Sequence, residues 1–438
     1  MIIDLEIFFV GFLIVALPRD VKSSELVDDA LAAVIPHSTN VTDRQRQLIK
    51  AADDDYVATD TVGLVNQYPG YPTEEHIVTS KDGYKVSIFR ILGSPKSPPA
   101  EGKPVVYIQH GLLGSSDGWV LIGADYDLAF LLADDGYDVW LGNIRGNTYG
   151  KSHNNLTTDD KEFWDYSFHE LATLDLTVAL DTVLEQSEQA DLVYIGHSMG
   201  TTMSYICLSE MPEYNEKIRL AISLAPIAFW NQQKPNLAIR VFCSFTDVMR
   251  VLFNSLRIYQ LLPQGSVKFA QWLCSGGSSW QFICIFVSSV ILGRDPEDFN
   301  YDLLPYIGFY APAGMSMKTL YHYEQNINAG VLQKYDYGQS DNVKKYGTKD
   351  PPLYDLSKIT APFALIYGDT DALAKKKNVD YLAGLLSNVV TVESVPYDSF
   401  NHLDFTFGTD SKRLVYDRVI QLASMYSNNS TNETTPAM

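Results

Sequence analysis

The chain has 438 residues, of which 46% are hydrophobic, so it can bury a large core. This length is typical of two or three domains, or of one α/β domain that carries an insertion. Acidic residues outnumber basic ones by 53 to 33, and the formal net charge is −20. Such a charge argues against nucleic acid and against an anionic membrane surface as partners.

The N-terminus resembles a secretory signal. Its apolar stretch, residues 7–17, has the length of a signal-peptide core and is too short to span a bilayer comfortably. Asp4 and Glu6 stand where positive charge is usual, so an uncleaved anchor or a buried N-terminal helix is the alternative. We predict that residues 1–20 are a signal peptide and that the protein is secreted or lysosomal. Five N-x-S/T sequons agree with this prediction and are candidate glycosylation sites: Asn40, Asn155, Asn428, Asn429 and Asn432.

Four cysteines are too few for a disulfide framework in a chain of this length. Cys207 falls inside a predicted helix and is expected to be a buried free thiol. One disulfide is plausible among Cys243, Cys274 and Cys284. Because no cysteine or histidine spacing is typical of a metal site, we expect neither a metal nor a cofactor.

Strands and helices alternate through the first half of the chain. A polar lead-in precedes a β-rich passage at 71–91, in which "KDGY" (81–84) supplies a turn. The continuously apolar run at 104–111 predicts a buried strand, 125–136 predicts a helix, and 137–143 predicts another strand.

The alternation continues to residue 226. Ser167 and Glu170 form a capping box that opens a helix to about Leu184. A strand at 191–196, a helix from about Met199 and a strand at 218–226 follow. This order predicts an α/β fold with a largely parallel central sheet and helices on both faces.

Residues 229–355 interrupt the pattern, and it resumes with strands at 359–373 and 389–396. We predict that 229–355 is a mainly helical cap, inserted between core segments 21–228 and 356–427, and that 428–438 is a disordered tail. Residues 269–293 carry no charge, but Gln, Ser and Gly interrupt them. Helices of a lid, with or without a face toward lipid, are therefore favoured over a transmembrane span, and no stable transmembrane anchor is expected.

A G-x-S-x-G motif at 196–200 lies within "LVYIGHSMGTT". It follows a predicted strand and precedes a predicted helix, as does the sharp turn that presents a nucleophilic serine in α/β enzymes. Flanking glycines permit that turn, and the helix N-terminus stabilises developing negative charge. Ser198 is therefore a candidate nucleophile, and a serine in an ordinary tight turn is the alternative.

A nucleophilic serine of this kind needs a histidine base later in the chain. Only His322 and His402 lie beyond Ser198. His322 falls in the insertion, where a surface or packing role is expected. His402 follows the last predicted core strand, which is the position expected of the base.

The acid that orients the histidine is less defined. The predicted strand at 362–368 leads to Asp369 and Asp371, and either carboxylate could accept the imidazole N–H. Asp404 is a local alternative, although a neighbour two residues from His402 is poorly placed. Position alone leaves Asp369 and Asp371 equivalent.

Two backbone N–H groups should stabilise the oxyanion. One belongs to Met199, the residue after the nucleophile, and the other to Leu112, after the strand at 104–111. A methionine side chain does not disable a main-chain donor. A further glycine-rich stretch, "GNTYGKS" (146–152), has three residues between its glycines instead of the four of a phosphate-binding loop and is rejected as one.

Seven segments resemble the acid lipase family of α/β-hydrolases, which includes gastric and lysosomal acid lipases and many arthropod lipases: "HGLLGSSDGWV", "DVWLGNIRGNTYG", "FWDYSFHELATLDL", "GHSMGTT", "LAPIAF", "DALA" and "NHLDF". The resemblance runs from about residue 68 to 426. It implies an α/β-hydrolase fold with a cap inserted before the acid, and hydrolysis of triacylglycerols and cholesteryl esters.

Carried over by motif, the resemblance implies Ser198 as nucleophile, His402 as base and Asp371 of "DALA" as acid, with Leu112 and Met199 as oxyanion donors. The family usually has glutamine where this chain has Met199, so the side-chain packing or polarity beside the nucleophile is expected to differ from that of the family.

We therefore predict a serine hydrolase that cleaves esters of neutral lipids through an acyl-enzyme on Ser198. A carboxylesterase of small soluble esters is one alternative, and the large apolar insertion argues against it. A non-catalytic lipid-binding protein on the same scaffold is another, and the complete set of nucleophile, base and acid argues against it. The expected partner is a neutral lipid ester presented at a lipid–water interface.

Overall fold

The computed structural model describes residues 43–53, 56–262, 293, 299 and 301–428. Several predictions concern residues outside these ranges: the signal peptide, the sequons at Asn40, Asn429 and Asn432, a disulfide between Cys274 and Cys284, and nearly all of the uncharged stretch 269–293. Cys207 and Cys243 are buried free thiols, as predicted for Cys207.

The N-terminal part contains two short helices, α1 (Asp43–Asp53) and α2 (Thr61–Val65), and then an antiparallel hairpin of β1 (Thr73–Thr79) and β2 (Tyr84–Ile91). The turn of the hairpin is the predicted D-G turn. Gly83 adopts φ +100° there, a conformation that side chains disfavour.

Seven more strands complete the large sheet: β3 (Val105–Gln109), β4 (Asp138–Leu141), β5 (Ser152–His153), β6 (Leu192–His197), β7 (Ile218–Leu224), β10 (Phe363–Tyr367) and β11 (Val389–Ser394). The strand order is β1-β2-β4-β3-β6-β7-β10-β11, with β5 paired to β2. From β4 to β11 every neighbouring pair is parallel, whereas β1, β2 and β5 pair antiparallel. The predicted largely parallel sheet is thus confirmed.

The central strands β3, β4, β6 and β10 are buried along their whole length, as their uninterrupted apolar runs predict. The last strand, β11, alternates between half-buried and exposed residues because it forms the edge of the sheet.

Helices cover both faces of the sheet. They are α3 (Leu128–Asp134), α4 (Phe168–Glu170), α5 (Leu176–Ser187) and α6 (Met199–Glu210) in the first half of the chain, and α11 (Lys376–Ala383), α12 (Asp404–Phe407) and α13 (Asp417–Asn428) in the second. The predicted capping box opens α4, where the Ser167 N–H donates to Glu170 Oε2 at 2.7 Å. A π-helical turn, Leu171–Asp175, joins α4 to α5.

Between β7 and β10 lie four helices and two short strands among the described residues: α7 (Leu237–Ser255), β8 (Gln260–Leu261), α8 (Leu304–Ile307), β9 (Met315–Ser316), α9 (Met317–Ala329) and α10 (Gln339–Tyr346). The β8–β9 pair was not predicted. A separate small apolar cluster lies here, and the side chains of Leu112 and Leu113 pack against it. In the described ranges, no helix is both long enough and apolar enough to cross a membrane.

Candidate active site

The turn between β6 and α6 places Ser198 in a strained conformation, with φ 53° and ψ −115°. Its two glycine neighbours allow close approach of the backbone. A Cβ on Gly196 would lie 2.8 Å from the carbonyl carbon of Gly200, and a Cβ on Gly200 would lie 2.5 Å from the Gln109 carbonyl oxygen. Both contacts are with backbone that cannot easily move, so this turn requires glycine on both sides of the serine.

Three predicted residues from distant parts of the chain meet at this turn. His402 Nε2 lies 2.8 Å from Ser198 Oγ, and His402 Nδ1 lies 2.8 Å from Asp371 Oδ2. All three residues are buried, Asp371 completely. They form a continuous hydrogen-bonded chain from carboxylate to imidazole to hydroxyl.

The charge state of Asp371 determines which atom donates in each of these two hydrogen bonds. Burial alone would raise the pKa of Asp371, but His402 and the backbone N–H groups of Leu373 and Ala374 hold that pKa below its ordinary value. Those N–H groups donate to Oδ1 at 2.7 and 2.9 Å. Since an ionised carboxylate only accepts hydrogen bonds, His402 donates from Nδ1 and offers Nε2 as acceptor to the serine hydroxyl.

The other two carboxylates that the sequence offered as the acid, Asp369 and Asp404, are not hydrogen-bonded to His402. Asp369 is exposed and accepts a hydrogen bond from Ser394 Oγ at 3.0 Å, beside strand β11. Asp404 is buried at the start of α12 and accepts the Asn401 N–H at 2.5 Å. Of the three carboxylates, Asp371 is the one hydrogen-bonded to His402.

His322 lies apart from this site. It is fully buried on α9, and its ring stacks on Phe168 with centroids 3.7 Å apart. Its Nε2–H donates to the Gln333 carbonyl at 2.8 Å, and burial lowers its pKa to about 3. The predicted packing role fits these contacts.

The predicted oxyanion positions both lie next to Ser198. Met199 is the first residue of α6, and Leu112 belongs to the turn of residues 111–114 that follows β3. A Cβ on Gly111 would lie 2.9 Å from Ser198 Cβ, so the backbone of this turn lies directly against Ser198. The Met199 side chain is only 1% exposed and packs in the main apolar core.

Two buried histidines near the site were not predicted from the sequence. His197 Nε2–H donates to the His402 carbonyl at 3.0 Å, while burial and His402 lower the pKa of His197 to about 3. His110 Nδ1–H donates to the Gly111 carbonyl at 2.8 Å, and burial lowers its pKa to about 4. The partner of His197 is 205 residues away, so no local pattern could have indicated it.

No group of three or more His, Cys, Asp or Glu side chains suited to a metal ion occurs among the residues that the structure describes.

Comparison with known families agrees with this geometry. A family described as "Partial alpha/beta-hydrolase lipase region" matches residues 64–123, and the family "alpha/beta hydrolase fold" matches residues 104–253. Both matches cover the strands and turns that hold Leu112, and the second also covers Ser198.

Similar proteins extend the match over most of the chain. Lipase 3 of Drosophila melanogaster is 37% identical over 361 residues, which are 82% of this chain and 91% of that protein. Gastric triacylglycerol lipase of Bos taurus is 35% identical over 83% of this chain and 91% of that protein. Lipase member K of Homo sapiens is 34% identical over 84% of this chain and 92% of that protein. The chain belongs to the lipase family of α/β-hydrolases, and it is a carboxylic ester hydrolase.

Proposed function

We propose that the protein hydrolyses neutral lipid esters, triacylglycerols or cholesteryl esters, with Ser198 as nucleophile, His402 as base and Asp371 as the acid that orients it. The observation that carries this proposal is the hydrogen-bonded chain of these three side chains at the strained β6–α6 turn. Gastric triacylglycerol lipase, which is 35% identical in its bovine form, supports the substrate class.

Catalysis begins when His402 Nε2 takes the proton of Ser198 as Oγ attacks the ester carbonyl. The charge that develops on His402 is balanced by Asp371, 2.8 Å from Nδ1. The N–H groups of Leu112 and Met199 donate to the oxyanion. His402 then protonates the leaving alcohol, and water repeats the sequence on the acyl-enzyme to release the fatty acid.

The apolar surroundings of the 111–114 turn favour an ester with a long acyl chain over a small soluble ester. Leu112 and Leu113 pack against an apolar cluster formed largely by residues of the segment between β7 and β10. In this proposal, residues 229–355 are a cap whose apolar surface accepts the acyl chain, and residues 21–228 and 356–427 form the core. Long apolar chains gain about 0.8 kcal/mol for each methylene that such a surface buries.

The proposed location is the secretory pathway, with a secreted or lysosomal destination. The predicted signal peptide supports it, and so does the sequon at Asn155, which is exposed and therefore accessible to glycosylation. The remaining sequons, at Asn40, Asn428, Asn429 and Asn432, are proposed on the sequence alone.

The test compares the wild-type protein with Ser198→Ala on an emulsified long-chain triacylglycerol, an emulsified cholesteryl ester and a soluble butyrate ester, from pH 4 to 9. Ser204→Ala is the matched control, because Ser204 is also buried on α6 but bonds only to the Thr201 carbonyl, at 2.8 Å. Long-chain hydrolysis that is lost in Ser198→Ala and kept in Ser204→Ala is expected. Hydrolysis of butyrate alone would indicate a carboxylesterase, and lipid binding without Ser198-dependent turnover would indicate a binding protein.

A further inference from the structure

The glycine-rich stretch "GNTYG", rejected as a phosphate-binding loop, forms a tight turn beside the 111–114 turn. Its ends are joined by a hydrogen bond from the Gly146 N–H to the Gly150 carbonyl at 2.7 Å. Asn147, the second residue of this turn, is completely buried and lies 3.4 Å from the Gly114 carbonyl. A fully buried amide side chain needs partners for all its polar atoms, so its contacts are informative.

The orientation of the Asn147 amide is fixed by a backbone donor. The Tyr149 N–H donates to Asn147 Oδ1 at 2.9 Å, which places Nδ2 on the opposite side. One Nδ2 hydrogen is donated to Asn143 Oδ1 at 2.9 Å. Asn143 is itself fixed, because its Oδ1 accepts the Ser116 N–H at 2.9 Å.

The second Nδ2 hydrogen is directed toward the Gly114 carbonyl and His110 Nε2, each 3.4 Å away. A nitrogen that faces a donor must be the unprotonated one, so the His110 ring carries its proton on Nδ1. That Nδ1–H donates to the Gly111 carbonyl at 2.8 Å. The Gly111 carbonyl, which can only accept, requires the same tautomer, and the Asn147 amide stabilises it from the Nε2 side of the ring.

The Gly111 carbonyl also accepts the Gly114 N–H, at 3.1 Å. In a planar trans peptide the carbonyl and the following N–H point in opposite directions. Two donors that hold the Gly111 oxygen therefore also fix the direction of the Leu112 N–H, next to Ser198.

We propose that Asn147 is a positioning residue, which acts through His110 to hold the Gly111–Leu112 peptide so that the Leu112 N–H donates to the oxyanion. The proposal rests on the proposed function, since it deepens the account of the same site. Asn147 does not touch the substrate; it determines the hydrogen-bond state of a histidine that in turn holds the donor peptide.

The first experiment measures kcat and KM of Asn147→Ala on a soluble p-nitrophenyl ester, together with inhibition by an alkyl trifluoromethyl ketone, which adds to the serine and forms an oxyanion. Loss of a complete oxyanion donor costs roughly 10²–10³ in kcat, so a misdirected one is expected to cost about 10- to 100-fold. KM is expected to change less than about twofold, since the donor acts mainly in the transition state. The ketone is expected to bind more weakly by a factor similar to the loss in kcat.

The matched control is Asn215→Ala. Asn215 is also buried, and its amide bonds to backbone groups away from the site, among them the Leu208 carbonyl at 3.0 Å and the Thr360 N–H at 2.8 Å. It is expected to lower the melting temperature as Asn147→Ala does, while kcat stays within about twofold of wild type. If Asn147→Ala is folded and also keeps its kcat and its affinity for the ketone, the proposal is overturned.

A second pair of variants tests the path through His110. His110→Asn keeps a side-chain donor near the Nδ1 position, whereas His110→Leu keeps none. Most of the activity is expected in the first and a loss like that of Asn147→Ala in the second. Adding Asn147→Ala to His110→Leu is expected to cost no more than about twofold further, because the two residues act in one path. If the double variant instead lost activity by the product of the two single losses, Asn147 would not act through His110.

A direct readout separates this proposal from the proposed function. The 15N shifts of the His110 ring, in protein labelled at histidine, are expected to report the Nδ1–H tautomer in wild type and its loss in Asn147→Ala. If wild type shows no Ser198-dependent hydrolysis, the proposed function fails, yet these shifts still decide whether Asn147 sets the tautomer. An unchanged tautomer in Asn147→Ala overturns the positioning role even in an active enzyme.

Discussion

Replacement of His322 by glutamine is expected to change how the stability of the protein depends on pH. In the folded protein the pKa of His322 is lowered by burial to about 3, from an ordinary value of 6.5. A histidine with a lowered pKa contributes its full stability above pH 6.5 and loses it as the pH falls toward 3, because the unfolded chain binds the proton first. Wild type should therefore lose stability on acidification at this residue, and His322→Gln should not.

The size of the effect follows from the two pKa values. Between pH 7 and pH 5 the unfolded chain becomes almost fully protonated at His322, while the folded protein stays neutral there. Linkage gives a decrease of about 2 kcal/mol in the free energy of unfolding over this interval. His322→Gln is expected to be less stable than wild type at pH 7, since it loses the imidazole ring that stacks on Phe168, although its amide can still donate to the Gln333 carbonyl. At pH 5 the difference in free energy of unfolding between wild type and His322→Gln is expected to be about 2 kcal/mol smaller than at pH 7.

Urea unfolding at pH 7 and pH 5, followed by tryptophan fluorescence, measures both differences. The control is Asn215→Ala, a change at a buried side chain that does not titrate, for which the loss of unfolding free energy relative to wild type should be nearly the same at both pH values. Parallel loss of stability by wild type and His322→Gln would show that His322 does not remain neutral in the folded protein, and the reasoning would be wrong.

Three further changes have definite expected outcomes. Asp371→Asn leaves His402 without its anionic partner and is expected to lower kcat by roughly 10³- to 10⁴-fold with little change in melting temperature, as steady-state kinetics and thermal unfolding would show. Gly200→Ala would place a Cβ 2.5 Å from the Gln109 carbonyl oxygen and should both lower the melting temperature and abolish activity; a fully active variant would contradict the strained turn. Asn155→Gln, in protein from a eukaryotic secretory host, is expected to lose the mass of one N-linked glycan, and an unchanged mass would remove this site from the proposal.

Most of the sheet could be predicted because the central strands are buried on both faces. Their residues form unbroken apolar runs that end at glycine or polar residues, and this pattern does not depend on distant parts of the chain. The capping box at Ser167 was equally visible, since both of its partners lie within four residues. The π-helical turn that follows it leaves no such local sign.

The segment between β7 and β10 was less predictable. Helix α7 has 19 residues and begins at a side-chain cap from Asn236, whereas the sequence predicted only a mainly helical cap and gave no bounds for its helices. Several apolar residues of α7 are exposed, Val248 and Val251 by about two thirds, so its apolar residues do not mark one buried face. They nevertheless recur at helical spacing, with Phe245, Val248 and Leu252 three and four residues apart, so periodicity marks this segment as a helix but does not say which face is covered.

The site shows the same division between local and distant information. The G-x-S-x-G turn is local and was predicted from its context. The choice between Asp369 and Asp371 needed either the family motif or the structure, because two residues of one loop differ only in the direction they face. The contacts of His197 and Asn147 depend on strands and turns far apart in the chain, so sequence reasoning on single motifs could not find them.

The distance between Ser198 and His402 along the chain has a consequence for how the protein acquires its activity. These residues are 204 positions apart, and β7 and β10 must pair before their side chains can meet. Pairing of such distant strands is slow, because chain closure precedes the contacts that reward it. Activity recovered after dilution from denaturant should therefore appear later than helical circular dichroism, and during synthesis the nucleophile should remain inert until the last third of the chain has folded around it.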